Sequence, residues 1–370
     1  MATYVIRRFI QGLIVLVLAT FVIYSILVIT PGGPRDQIAQ LKATSTSSRP
    51  VNAALLTSLL KAYKLDDPYP INYLRWLFDP KDTTALDPND NTKEIQKGID
   101  VTIGPIHLKG AGVLTGDFGN SLVVNKGSNV MTLMGDRLGN TLALTISSLL
   151  LSILIAFPIG IISAIRQYSR LDYSVTAFSF VGLSMPTFWL GLMLVIFLAV
   201  IPKQIHDSGV SWMPYMPPGF AFDTDQEGNN INRIYHLILP VTVLSFVNVA
   251  SFSRYVRSSM LEVLRQDYVR TAWAKGLAQR TVILRHALRN ALIPVITVVT
   301  LSLPFLFSGA IATETVFSYP GMGKLFVSAI FALDIPLVMA FLLIITTLII
   351  VSNILADVLY AVADPRIHYS

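Results

Sequence analysis

The chain has 370 residues, 53% of them hydrophobic and only 14% charged, a balance more apolar than soluble globular domains carry, which places it in a bilayer. The absence of cysteine excludes a disulfide framework, a thiolate metal site and a cysteine nucleophile. The formal net charge of +6 carries less information than the positions of the bases, which turn out to be gathered in short stretches.

Six segments are apolar over the roughly 20 residues that a helix needs to cross the hydrocarbon core. In chain order they are Phe9 to Thr30, Thr141 to Ile165, Val175 to Ile201, Ile234 to Phe252, Ala291 to Ala312 and Pro336 to Tyr360. The first follows Arg7 and Arg8, as a secretory signal would. Its apolar run is too long, and Ile29-Thr30-Pro31-Gly32-Gly33 offers no small-x-small cleavage site, so an uncleaved anchor is expected.

Between the first two spans, residues 31–140 are too many for a connector, since loops beyond ~15 residues usually carry function or disorder. A small extracytoplasmic domain is expected there. Val51 to Tyr63 has apolar residues at helical spacing, and Asn72 to Phe78 supplies aromatic surface for packing. Lys81 to Lys97 is polar and reads as a flexible surface excursion. Asp100 to Leu108 alternates and predicts a short hairpin turning at Gly104-Pro105.

Lysine and arginine resist translocation and so mark cytoplasmic loops. Arg7 and Arg8, then Arg166 and Arg170, then the bases from Arg254 to Arg289, and finally Arg366 all fall on one side when six spans are counted. Both termini are then cytoplasmic. The segment from Ile205 to Asn232, with Asp207, Asp223, Asp225 and Glu227, is outside.

The densest basic stretch is the loop 254–290. Glu262 to Lys275 has apolar residues at spacings of three to four, Gly276 stops it, and Ala278 to Leu292 follows with Val282, Ile283, Leu284, Ala287 and Leu288 on one side. This predicts a helix, a glycine turn and a helix at the cytoplasmic face. The bases alone satisfy the positive-inside rule and reach anionic headgroups. The helices also suit docking into a groove of a soluble partner, with Ala272, Ala274 and Gly276 allowing close approach. A nucleic-acid surface is implausible in a loop tied at both ends to spans and lacking a stacking set.

Other chemistries find little support. Gly323-Lys324 lies in a stretch where Ser318 and Leu325 replace the first glycine and the hydroxyl residue of a phosphate loop. A turn or short re-entrant element is expected there. No span carries a carboxylate or lysine near its middle, which argues against a proton-coupled carrier, although sodium coupling through carbonyls stays open. Asp172 and Asp357 sit near cytoplasmic ends, where pairing with Arg170 or Arg366, or solvation, is expected; His236 is expected at the membrane interface. The five histidines are scattered, with no metalloprotease spacing and no GxSxG, so an enzyme is not indicated.

A set of motifs runs through nearly the whole chain: YVIRRF at the start, GDFGNSL (Gly116 to Leu122), GLSMPTFWLGL (Gly182 to Leu192), LEVLRQDYVRTAWAKGL and RHALRNALIPVIT around the basic loop, ETVFSYPGMGKL (Glu314 to Leu325), and the closing DPRI. In this the chain resembles the membrane-spanning subunits of ABC importers, in the dipeptide, oligopeptide and nickel branch. The resemblance implies an all-α integral membrane protein with six transmembrane helices in the type I importer fold. Its parts would be a first helix over 1–30, the extracytoplasmic domain 31–140, a five-helix core over 141–362 that includes the coupling loop 254–290, and a cytoplasmic tail 363–370. It further implies a multi-pass protein of the prokaryotic cell membrane that pairs with a homologous second permease subunit and receives cargo from an extracytoplasmic substrate-binding protein. One or two cytoplasmic ABC ATPase subunits would hold ATP and magnesium, leaving no cofactor, metal or catalytic residue on this chain.

By that resemblance the basic loop carries the EAA-type coupling motif, and the residues docking the ATPase would be Asp267, Tyr268, Arg270, Thr271, Ala272, Lys275, Gly276 and Leu277. The motif's glutamate and first alanine are replaced here by Arg270 and Thr271, and Pro294 lies farther from Gly276 than in the general pattern. Di- or oligopeptides are the implied cargo, with nickel, glutathione or oligosaccharides as alternatives within the branch. An ion-coupled secondary transporter is the rival outside it. Prolines 158, 186, 240, 294 and 304 can break spans where neighbours satisfy the backbone. Ser184, Met185, Thr187, Phe188 and Trp189, with Ser302 and Phe305, are the expected path lining, or else helix–helix glue.

Overall fold

The computed structural model describes residues 2–29, 71–78, 86–87, 90–94, 99–103, 106–110, 118–121, 123–210, 212, 214–223, 229–292, 295–296, 298–300 and 310–363. These are mostly helical. In chain order the elements are α1 (Ala2–Ile29), α2 (Ile71–Phe78), strands β1 (Leu86–Asp87), β2 (Asp90–Glu94), β3 (Ile99–Ile103) and β4 (Ile106–Gly110), then α3 (Val130–Ile165), α4 (Arg170–Ser184) and α5 (Thr187–Val195). A π-helical turn (Ile196–Val200) joins α5 to α6 (Ile201–Asp207). There follow α7 (Asn230–Leu264), α8 (Asp267–Ala274), α9 (Gln279–Thr281), a second π-helical segment (Val282–Ala287), α10 (Ile311–Val316), α11 (Met322–Phe331) and α12 (Ile335–Ala363).

Among the described residues, Val130–Ile165, Thr187–Asp207, Asn230–Leu264 and Ile335–Leu355 are long and apolar enough to cross a membrane. At 1.5 Å per residue the 36 residues of α3 span about 54 Å, more than the ~30 Å hydrocarbon core, so the helix projects beyond it. The third expected span is corrected. Val175 to Ile201 is not continuous: α4 ends at Ser184, Met185 is extended (φ −85°, ψ 121°), and α5 begins after Pro186. Proline has no N–H and pushes the residue before it out of the helical region, so the membrane-length helix starts at Thr187 instead. Most of the fifth expected span, residues 293–294, 297 and 301–309, lies outside the described residues, as does Val51 to Tyr63.

The chain forms two compact units. In the unit of Ile6–Asp136 and Leu325–Thr347, α2 packs its Tyr73 on α1: the ring meets Phe21 edge-on at 5.1 Å, and the hydroxyl lies 2.9 Å from Thr20 Oγ1. This is the aromatic packing expected of Asn72 to Phe78. Antiparallel β3 and β4 pair Ile103 with Ile106, bracketing Gly104-Pro105, as the alternation predicts. The stretch read as a flexible excursion instead contains the antiparallel ribbon β1–β2, with Leu86 opposite Glu94, so this region is not purely helical. The buried Asp334 carboxylate accepts hydrogen bonds from Ser121 Oγ and the Val123 and Val124 amides at 2.5, 3.1 and 3.0 Å.

The other unit comprises Met1–Val5, Arg137–Lys324 and Leu348–Ser370. Its interior mixes small hydroxyl residues with apolar ones: Thr141, Thr145, Ser148 and Ser152 of α3 are buried beside Leu144, while Leu150 and Leu154 face outward. Ser245 Oγ of α7 donates to the Ser148 carbonyl at 3.2 Å, and the Ser179 and Ser253 hydroxyls meet at 3.3 Å between α4 and α7. A Cβ on Gly182 would approach the Ala250 Cβ to 2.6 Å, so small residues set the spacing of α4 and α7. This is how helices associate where lipid is as apolar as leucine.

Candidate functional site

The loop 254–290 builds a helical hairpin from two separated faces. α7 runs on to Leu264, Arg265 and Gln266 turn the chain, and Asp267 starts α8 where its charge suits the helix N-terminus. On the inner face Val269 and Ala272 are 0% and 5% exposed and close on Val282, with Val263 and Leu264 packed beside them. The second arm extends this core. Ile283 and Ala287 join Ala164 of α3 and Val256 and Met260 of α7, so both arms are fastened to membrane helices.

The turn between the arms favours glycine. Gly276 has φ +73°, a conformation costly to any residue with a Cβ, and its N–H donates to the Trp273 carbonyl at 2.9 Å. Nothing lies within 4 Å of where a Cβ would be, so the turn points into open space.

The outer face carries the rest of the expected docking set. Tyr268, Arg270, Thr271, Lys275 and Leu277 are exposed with Asp267 and Gly276, whereas Ala272 belongs to the internal core. Tyr268 is braced by Asn290 Nδ2, which donates to its hydroxyl at 2.9 Å from the second arm. Asp267 and Arg270 form an exposed pair at 3.7 Å, of a kind that contributes little. Two residues outside the expected set stand out: Trp273 is 42% exposed, as Tyr268 is at 43% and Leu277 at 38%, and Leu284 projects from the second arm. Trp273 is one position beyond Ala272 and so leaves the inner face, a signal the helical spacing does carry. The π-helical turn that rotates Leu284 outward has no such signal.

Asp172 secures the helices beneath the hairpin. Its carboxylate accepts two hydrogen bonds from Arg257, Nε to Oδ1 at 2.5 Å and Nη2 to Oδ2 at 2.8 Å, and further ones from Ser163 Oγ and the Tyr168 amide. The Arg257 guanidinium holds this carboxyl well below the usual carboxylate range, against the opposing effect of burial. The expected pairing with Arg170 or solvent is therefore corrected; the partner is 85 residues away on α7, and the pair ties α4, α7 and the end of α3 together.

The ETVFSYPGMGKL stretch forms a closed cradle. Glu314 at the centre is fully buried and accepts from Thr141 Oγ1 and the Lys324 amide, both at 2.9 Å. A Cβ on Gly321 would collide with this carboxylate, so the glycine serves Glu314 and not a phosphate. Burial raises the Glu314 carboxyl, and burial with the nearby Glu314 pushes the Tyr319 hydroxyl up to about 12. His236, expected at the interface, is instead buried: its Nδ1–H donates to the Gly219 carbonyl at 2.6 Å, and Nε2 lies 3.3 Å from Asp223.

Of the expected path residues, Ser184, Phe188 and Trp189 are exposed and Met185 and Thr187 half-buried around the α4–α5 break. Ser302 and Phe305 lie outside the described residues.

Residues 156–369, from within α3 to the tail and including the whole hairpin, match the family described as binding-protein-dependent transport system inner membrane component. The chain belongs to that family. This transport permease is 37% identical to the oligopeptide transport system permease protein AppB of Bacillus subtilis across 100% of both chains. It is 34% identical to the dipeptide transport system permease protein DppB of Alkalihalophilus pseudofirmus, again over 100% of each. Identity to the dipeptide transport system permease protein DppB of Escherichia coli K12 is 39% over 70% of this chain and 78% of that one. A permease subunit of this family is a transport component of the inner membrane, and the buried hydroxyls and apolar outer surfaces of its helices fit that setting.

Proposed function

We propose that this permease forms half of the translocation path of an importer for di- or oligopeptides, together with a related second membrane subunit. ATP and magnesium are bound by separate cytoplasmic ABC ATPase subunits that dock on the α8–Gly276 turn, and cargo arrives from an extracytoplasmic substrate-binding protein. Six spans carry both termini to the cytoplasm, and residues 31–140 form the outside domain that faces the binding protein. The peptide cargo rests on the names of the relatives.

The observation that carries the coupling reading is the division of the hairpin into two faces. The inner one, Val269, Ala272 and Val282, is packed so that the hairpin moves as one body with α7 and α3. The outer one offers Tyr268, Trp273 and Leu277, with Arg270 and Lys275, to a partner. Such a rigid lever converts a partner's movement into a movement of membrane helices. The α4–α5 break supports the path reading, because it divides the apolar run Val175 to Ile201, and irregular backbone in such a run is sheltered by protein or lines a water-filled cavity. Ser184, Phe188 and Trp189 are exposed beside it on the single chain.

The test is uptake of a labelled short peptide into proteoliposomes that hold the purified importer, comparing trapped ATP with ion gradients and adding external binding protein. Uptake that requires both ATP and binding protein is the expected result. Uptake driven by a gradient without ATP identifies a secondary carrier and overturns the reading; ATP-dependent uptake of nickel, glutathione or an oligosaccharide in place of peptide overturns the cargo alone.

A further inference from the structure

A groove of about 720 Å³ opens where the end of α3 meets the second arm of the hairpin. Its lining divides by chemistry. Ile162, Ile165, Leu171 and Leu284 give it an apolar wall, and Arg166 and Arg280 supply two guanidinium groups. Ile162, Leu171 and Leu284 are exposed, so the wall is open on the isolated chain. Among the described residues neither arginine side chain has a carboxylate partner, and the nearby Asp172 is buried and committed to Arg257.

The position of the groove matters as much as its lining. α3, a helix long and apolar enough to cross a membrane, ends at Ile165, and Arg166 is the first base after it, of the kind that marks a cytoplasmic headgroup level. The turn that follows includes Tyr168 at φ +64°, and the next helix begins at Arg170. An occupant must satisfy an apolar wall and two uncompensated cations at the level of the headgroups. A soluble protein segment would have to carry both a long apolar strip and an acidic tip; an anionic phospholipid has both by constitution.

We infer that this groove binds an anionic phospholipid, with acyl chain on the Ile162–Ile165 face and headgroup phosphate between Arg166 and Arg280. One lipid would then touch both α3 and the arm of the hairpin that follows Gly276, and its occupancy would brace the lever from the membrane side. This goes beyond the importer reading and does not depend on cargo or nucleotide.

The test uses the purified importer complex, delipidated and titrated with phosphatidylglycerol or phosphatidylcholine, with bound lipid counted by native mass spectrometry in the absence of ATP and cargo. Wild type is expected to bind phosphatidylglycerol about tenfold more tightly, the preference two guanidinium groups near the headgroups provide after screening. R166Q/R280Q should lose that preference, and R285Q/R289Q, with the same loss of charge outside the groove, should keep it. Equal binding of the two lipids by wild type, a preference retained in R166Q/R280Q, or one lost equally in both variants would overturn the site. Because the chain has no cysteine, L284C can carry a single photocrosslinker. Capture of phosphatidylglycerol is expected; capture of an ATPase or second permease subunit in its place would show the groove to be a protein interface and overturn the lipid assignment.

Discussion

At the scale of single residues, Gly276 and Asp172 set the two sharpest constraints. Gly276→Ala places a Cβ in open space but in the left-handed region, a local cost of about 1–2 kcal/mol, so the hairpin should survive with reduced binding-protein-stimulated ATPase activity. Gly276→Pro cannot adopt φ +73° and also loses the N–H that reaches Trp273, so stimulation should be abolished while the subunit still inserts. Normal stimulation in the proline variant would remove the docking assignment. Asp172 behaves differently because its carboxyl is held below its unfolded pKa, so its stabilisation is present above about pH 4 and fades only as pH falls through the folded value. Arg257→Gln removes the partner and leaves a buried charge, costing about 3–5 kcal/mol at neutral pH. Burial then raises the orphaned carboxyl, and the sign reverses. Thermal unfolding of that variant should therefore occur at higher temperature at about pH 5 than at about pH 8, with wild type nearly flat between them. A variant as flat as wild type would show that Arg257 is not what holds Asp172 ionised. The pair was illegible in the sequence because nothing local connects residues 85 apart, whereas Gly276 was legible because a glycine ending a periodic helical run is itself the signal of a turn.

At the scale of elements, the hairpin has a packed inner face and an exposed outer face, and substitutions at neighbouring residues test whether the outer one docks a partner. Ala272 is interior, so Ala272→Leu forces bulk against Val269 and Val282 and should destabilise the complex by about 1–3 kcal/mol, with loss of coupling as a consequence. Trp273→Ala removes an exposed ring and should leave thermal stability unchanged while lowering affinity for the ATPase subunit about tenfold or more, as truncation of an interface aromatic does. Co-purification yield and unfolding temperature, measured on both variants, distinguish the two roles. A stable Trp273→Ala complex with full ATPase retention would place the docking surface elsewhere. Spacing of three to four made both arms of the hairpin readable. It did not reveal the π-helical turn at Val282–Ala287, since an extra residue in a turn leaves the apolar composition unchanged. Pro186 was legible as a possible break, yet the apolar run on both sides hid where the membrane-length helix begins. The glycines of YPGMGK excluded a phosphate loop by their spacing, but only the buried Glu314 explains their presence.

At the scale of the whole molecule, hydropathy carried the class of protein, because lipid demands long apolar helices. Residues 31–140 were less readable. Short strands rich in Asp, Asn and Thr look like loops until paired, and so Lys81 to Lys97 concealed β1 and β2. That ribbon gives the delivery reading of residues 31–140 a defined target. In it β2 pairs antiparallel with the two-residue β1, Asp87 lying opposite Asp90. If the binding protein contacts this ribbon, deleting Lys81–Lys97 should raise the binding-protein concentration that half-saturates ATPase stimulation about tenfold, with basal ATPase unchanged. The separation between those two readouts is the decisive feature. A deletion that merely misfolds the subunit lowers basal and stimulated rates together, whereas a lost delivery contact is overcome by more binding protein. Unchanged half-saturation would mean that cargo is delivered without the ribbon.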